Sequence, residues 1–243
     1  MRVYIGFDDT DILGSDFGTG KLARRYETLL PQGCSVWGVV RQQLLVDPRI
    51  PYTSHNSSAC VVLDVIDPDP SKVQSILERA VAHIEKQAAA GSDPGLCLAC
   101  EGDTAITSLA TFGLRCTEKV VTQQEALRAA GHAHLSGHGG TNDGIIGAAA
   151  AVGLTASGWN GRFIEYEDLR QFSDPVAVIT LQEKGIRVVS LDRDALCPHP
   201  DDRVNTKGWL RPRLWGCEAV LPVLPAGQGL WESMGEKRKK NKS

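Results

Sequence analysis

The sequence predicts an α/β (α+β) chain, a mixed sheet flanked by helices with a small β-rich C-terminal appendage. Three observations predict it. Short apolar runs such as Val3 to Phe7, Ser35 to Val40 and Ala59 to Val65 have the length and β-branched content of strands, and turn residues bound them. Segments with helical spacing separate these runs. Beyond about residue 168 that spacing gives way to short strands punctuated by proline and glycine. We therefore expect a main domain over 1–167, a small β-rich domain over 168–230, and a basic disordered tail over 231–243.

The elements follow in order. After the first strand and an acidic loop, a helix is expected from about Gly20 to Leu30, stopped by Pro31-Gln32-Gly33. The second strand, Ser35 to Val40, runs through Arg41 into a turn-rich loop, Asp47-Pro48-Arg49-Ile50-Pro51. Ala59 to Val65 is nearly all apolar, as befits a strand buried on both faces. Ser71 is placed to cap the next helix, where Val73, Ile76, Leu77, Ala80, Val81 and Ile84 recur at helical spacing. Ala88 to Pro94 ends it. Leu96 to Ala99 reads as a short strand and Ala105 to Phe112 as a helix. Thr122 caps another helix, with Glu125 at the capping-box position. Gly139 to Gly144 then leads into the small-residue helix Ile145 to Gly153. From Trp159 onward, strands are expected at Arg162 to Tyr166 and Ala219 to Leu224. A hairpin pairing Ala177 to Leu181 with Ile186 to Ser190 is expected about Glu183-Lys184-Gly185.

Composition narrows the function classes. A formal charge of −3 argues against holding nucleic acid by bulk electrostatics, although it leaves room for a local basic patch. The densest basic run, Lys237 to Lys240 with Lys242, reads as a solvated tail. No apolar stretch approaches bilayer length, so no membrane partner is expected and the protein is expected to be cytoplasmic. Seven cysteines, an odd number, do not make a secreted disulfide framework. Cys97 and Cys100 have CxxC spacing, but no second pair follows, which favours free buried thiols over zinc. His132, His134 and His138 lack a matching carboxylate and read as polar packing or a substrate contact.

Chemistry concentrates at Asp8-Asp9-Thr10-Asp11, where the first strand ends. Three carboxylates this close repel one another unless a cation shares them, and hard oxygen donors at this spacing suit Mg²⁺. The alternative is a solvated acidic turn. Two glycine loops open helices, as phosphate cradles do. One is Gly18-Thr19-Gly20-Lys21. The other is Gly139-Gly140-Thr141-Asn142-Asp143-Gly144, whose glycines serve equally for close packing on the sheet. The first lacks the full Walker spacing, because Leu22 follows Lys21. Thr19 there is a candidate nucleophile or phosphate contact, and Lys21 a counter-charge. Arg41 adds a candidate clamp, and the polar run Thr53 to Ser58, including His55 and Asn56, a hydrogen-bonding lining. Together these point to a Mg·nucleotide or phosphoryl-transfer site.

Three segments in the same order, Met1 to Asp11, Arg41 to Asn56 and Asp143 to Gly153, resemble the N-terminal domain of archaeal tRNA-isoleucine agmatidine synthetase. The resemblance covers most of residues 1–165. It implies that residues 1–167 form an ATP- and Mg²⁺-binding, kinase-like domain. Asp8, Asp9 and Asp11 then become metal ligands, with Asp9 also catalytic. Thr19 becomes the counterpart of a threonine that is phosphorylated, although the family has Cys-Thr-Thr where this chain has Gly18-Thr19-Gly20. Thr10, Gly18, Gly20, Lys21, Arg41, His55, Asn56, Gly139, Gly140, Thr141, Asn142, Asp143 and Gly144 become nucleotide-binding residues. The archaeal enzymes continue into an OB-fold and a zinc ribbon, and a stand-alone form without either is expected here.

The implied activity is ATP-dependent activation of an acceptor carbonyl or hydroxyl, in tRNA or in a small molecule, with an amine as a candidate co-substrate. Two alternatives come from the residues themselves. One is a small-molecule kinase or a haloacid dehalogenase-like phosphatase, with Asp9 as nucleophile and Asp11 as acid/base. The other is a non-catalytic nucleotide- or RNA-binding module.

Overall fold

The computed structural model describes residues 1–53, 55–194 and 196–234. The basic run Lys237 to Lys242 and Ser54 lie outside the described residues. The first unit runs β1 (Arg2–Asp8), α1 (Thr19–Arg25) with a 3₁₀ turn (Tyr26–Leu29), β2 (Cys34–Gln43), β3 (Ser57–Val65), α2 (Pro70–Gln87) and β4 (Gly95–Cys100). The strands lie in the order β4-β1-β3-β2 and every neighbouring pair is antiparallel. This is the βαββαβ, ferredoxin-like arrangement.

Alternation along β1 explains how both faces are covered. Val3, Ile5 and Phe7 pack with Leu22, Ala23 and Tyr26 of the α1 segment and with Ile76, Ala80 and Ile84 of α2. Tyr26 is fully buried, and its hydroxyl donates to the Ile76 carbonyl at 2.6 Å. The opposite face, with Cys60, Val62, Cys97 and Ala99, is covered by α3 (Ala105–Glu118), α4 (Gln123–Ala130) and α5 (Gly144–Ala156). β5 (His134–Gly137) extends the sheet beyond β4. Gly6 shows why α5 is rich in small residues: a Cβ there would overlap the Ala148 carbonyl, so helix and strand meet backbone to backbone.

The appendage continues the same sheet. β6 (Arg162–Glu165) pairs with β2 and with β10 (Arg213–Trp215). The order then runs through β11 (Glu218–Gly227), β12 (Leu230–Ser233), β9 (Arg203–Asn205) and β7 (Val176–Ala177). The expected hairpin does not form. Residues Val178–Glu183 are helical (α6), and β8 (Ile186–Ser190) pairs in parallel with β11. Val178 and Leu181 are both buried, a three-residue spacing that suits one helical turn, and a short apolar run is open to either reading. The cap of α2 is Asp69, which accepts from the Lys72 amide at 2.9 Å, with Pro70 at the first helical position and Ser71 donating to Asp69. Residues 231–233, expected as the start of the basic tail, lie in β12, where Trp231 is buried and its indole donates to Asp202 at 2.8 Å; residues 235–243 lie outside the described residues.

Candidate functional site

Antiparallel pairing decides what surrounds the acidic motif. Asp8 pairs with Gly95, so the end of β1 lies beside the start of β4 and the loop before it. In the same way Phe7, Ala59 and Arg41 lie in line across β1, β3 and β2. A cleft of about 220 Å³ opens at this edge. Asp8, Asp9, Asp11 and Thr19 line one side, the loop from Leu44 to Asn56 covers another, and Asp143, Gly144 and Gly147 at the start of α5 close the third.

Asp8 leaves β1 on the face that carries α5. A Cβ on Gly147 would overlap its carboxylate, so only glycine there admits Asp8. Burial, then the Asp9 and Asp11 carboxylates, push the Asp8 pKa up to about 8. Asp9, in a left-handed conformation at φ 49°, is raised to about 6 by burial and then by Asp93, Asp11 and Asp143. Ser58 lies one residue before Ala59, the partner of Phe7, and its buried Oγ has no hydrogen-bond partner among the described residues. Alternation puts it on the sheet face that Asp8 uses.

Thr19 is the first residue of α1 and is 7 % exposed. Its hydroxyl donates to Asp11 Oδ1 at 3.4 Å and accepts from Thr10 Oγ1 at 3.1 Å. Thr53 donates to the other oxygen of Asp11 at 3.2 Å. Asp11 is thus oriented by two hydroxyls and holds the Thr19 proton. The covering loop is pinned at its base by Asn56, whose amide donates to the Leu45 carbonyl at 2.6 Å. His55 and Asn56 both line the cleft.

Other expected residues stand elsewhere. Lys21 lies over the Phe17 ring at 5.1 Å and does not line the cleft. Gly20 packs against Ile164 of β6, a close-packing role. Arg41 points along the sheet towards Gln43 and Arg162. The second glycine loop does bind an anion, but that anion is Asp93. Its carboxylate accepts from the Asn142 amide at 3.0 Å and from Thr141 Oγ1 at 2.6 Å, and fills the space beside Gly140. Gly139, Gly140, Thr141 and Asn142 therefore do not reach the cleft, whereas Asp143 and Gly144 do.

The cations in the wall are Lys119, at the C-terminal end of α3, and Arg49, which pairs with Asp47 at 2.8 Å. Leu44, Ile50, Tyr52, Val120, Val121 and Ile146 give the cleft an apolar side that suits a nucleobase. The sequence marked none of these as a site, because the α3 end and the 44–52 loop reach the cleft only through tertiary packing.

A magnesium ion is implied by the acidic motif, and the donor set fits one. The oxygens are hard, burial and neighbouring acids raise the pKa values of two of the carboxyls, so a cation would relieve them, and the Ser58 hydroxyl on the Asp8 face of the sheet lacks a partner among the described residues. Among the described residues no three His, Cys, Asp or Glu side chains are gathered into a ready-made cage. Such an incomplete set matches an ion that takes one or two carboxylates and completes its shell with water and substrate phosphate.

The cysteine and histidine motifs lie apart from the cleft. Cys97 and Cys100 fall on opposite faces of β4, in different core clusters. His134 Nε2, Ser136 Oγ and His138 Nε2 form a chain with 2.8 Å links, and His138 Nδ1 lies 3.4 Å from Glu85. No helix among the described residues is long and apolar enough to cross a membrane.

No protein-family model and no curated protein matches the chain. Solved structures do. The complex of TiaS, the agmatidine synthetase of isoleucine tRNA, with its tRNA and ATP is 26% identical at a TM-score of 0.52, over 63% of this chain and 36% of that one. The TiaS complex with the same tRNA, AMPCPP and agmatine gives 26% and 0.51 over the same shares. A tRNA fluorescent labeling enzyme gives 28% and 0.51, again over 63% and 36%. The chain thus spans about a third of the length of these proteins. Over that shared part, the chain resembles tRNA-isoleucine agmatidine synthetase in both fold and sequence.

Proposed function

We propose that this chain is an ATP- and Mg²⁺-dependent enzyme that activates an acceptor carbonyl or hydroxyl by phosphoryl transfer in tRNA modification, with an amine as co-substrate. The observation that carries the reading is the Thr19 hydroxyl, held in the cleft wall and donating to Asp11 Oδ1, beside two carboxylates, Asp8 and Asp9, whose pKa values burial and neighbouring acids raise. The complexes to which the chain is similar contain isoleucine tRNA with ATP, or with AMPCPP and agmatine.

Each group then has a task. Asp8 and Asp9 would hold the ion, which would supply neutralisation of the phosphate oxygens when bound. Lys119 and Arg49 face the remaining phosphate charge. The apolar side formed by Leu44, Ile50, Tyr52 and Val121 takes the adenine. Thr19 Oγ1 attacks the γ-phosphorus, forming one O–P bond as the bond to the bridging oxygen breaks. ADP leaves with that electron pair, and the Thr19 proton passes to Asp11. An acceptor oxygen entering by the cleft mouth then attacks that phosphorus, breaking the Thr19 Oγ1–P bond, and Asp11 returns the proton to Thr19 Oγ1. The amine next forms a C–N bond at the activated acceptor carbon as the C–O bond breaks; phosphate leaves with that electron pair and the amine gives up its proton.

Incubation of the purified chain with isoleucine tRNA, ATP, Mg²⁺ and labelled agmatine tests the reading. Incorporation into tRNA that Asp9→Asn abolishes is the expected result. ATP turnover without incorporation would move the acceptor to a small molecule. Hydrolysis of a phosphomonoester in the absence of ATP would replace the reading with a phosphatase.

A further inference from the structure

Three arginines stand directly opposite one another across three neighbouring strands. Arg41 of β2 pairs with Arg162 of β6, and Arg162 pairs with Arg213 of β10. Adjacent strands lie about 4.8 Å apart, so the row steps at that interval over about 10 Å. Like charges directly opposite in a sheet are destabilising. No carboxylate is paired with any of the three among the described ion pairs, and Glu165, on the same strand as Arg162, is taken by Arg24 and Arg170. Burial and then Arg162 lower the Arg41 and Arg213 pKa values.

The row is also prepared to bind. The guanidinium of Arg213 lies over the Trp215 ring at 5.1 Å, and that of Arg211, just before β10, over Trp209 at 4.1 Å. Stacking of this kind fixes the plane of the fork that grips phosphate in a bidentate manner. The buried Nε atoms of Arg211 and Arg213 have no partner among the described residues. None of these residues lines the acidic cleft, but Arg41 lies three residues before Leu44, the first residue of the loop that covers that cleft.

We propose that this arginine row is a docking surface for an RNA phosphate backbone, leading the strand towards the cleft mouth. A single-file row of guanidinium groups at the spacing of neighbouring strands suits a linear chain of phosphates. An anionic bilayer is instead met by a broader cluster of basic residues beside the membrane, and an acidic protein would offer no fixed repeat. The surface joins β2 of the first unit to β6 and β10 beyond it. The choice of RNA over DNA rests on the tRNA reading above.

The test is fluorescence polarisation of end-labelled isoleucine tRNA at salt concentrations from about 50 to about 250 mM, with ATP binding measured on the same preparations. Arg162→Gln with Arg213→Gln should weaken tRNA binding about tenfold at the lowest salt and reduce the log–log salt slope by about 1.5 to 2. The Arg162→Lys, Arg213→Lys pair keeps the charge and should keep the slope, losing only the part of the affinity that needs the fork. An unchanged slope in the glutamine pair, or a lost slope in the lysine pair, overturns the proposal. So does tighter binding of phosphatidylserine vesicles or polyglutamate than of tRNA. Asp9→Asn should abolish ATP binding and leave the slope intact, so a failure of the nucleotide reading is distinguishable from a failure of this one.

Discussion

Asp8 and Gly147 share one volume. The carboxylate at the end of β1 occupies the space where any side chain at position 147 would begin, on the first turn of α5. A strand end and a helix start are locked together by an acid and a missing methyl group.

Gly147→Ala should therefore move either Asp8 or α5. Overpacking of this kind costs about 1–3 kcal/mol. We expect a lower melting temperature together with loss of Mg²⁺-dependent ATP binding, read by thermal denaturation and calorimetry. An alanine variant that keeps both would show that the carboxylate has room to move.

Asp8→Asn should separate stability from function. The folded-state pKa of Asp8 is raised from 3.8 to about 8, so the folded chain holds a proton that the unfolded chain has released. Stability contributed at this position is therefore greatest below about pH 4 and falls as pH rises towards 8. Asparagine has no proton to hold. The variant should melt higher than the parent without Mg²⁺, by roughly 2–8 °C, and by more at about pH 7.5 than at about pH 5. It should also lose Mg²⁺-dependent ATP binding. A lower melting temperature at every pH would contradict this account of Asp8.

Lys119 and Lys21 offer a direct contrast. Lys119 lines the cleft, whereas Lys21 lies on Phe17. Lys119→Ala should weaken ATP binding about tenfold, in keeping with the loss of one charge-assisted contact. Lys21→Ala should leave it unchanged. The reverse pattern would restore the first glycine loop as the phosphate site.

That contrast shows what the sequence could reveal. The acidic motif, Thr19, the positions of β1 to β4 and the Thr122–Glu125 capping box were legible because each is written in contiguous residues. Asp93 was not. It reaches Asp9 only because β4 runs antiparallel to β1, and a reading that placed the site where the first strand ends could not bring the start of another strand to the same edge. The segment Gly139 to Asn142 had the composition of a phosphate cradle, yet the anion it holds is the side chain of Asp93, from the loop that precedes β4. Arg41 looked like a solitary clamp, and only strand register set it beside Arg162 and Arg213.

The central claim is that Thr19 accepts a phosphoryl group within the Asp8–Asp9–Asp11 cleft. Incubation with Mg²⁺ and ATP labelled on its γ-phosphate, followed by peptide mapping, tests it most directly. The account predicts label on Thr19, absent in Thr19→Ala and much reduced in Asp11→Asn. Label that persists in Thr19→Ala would contradict it.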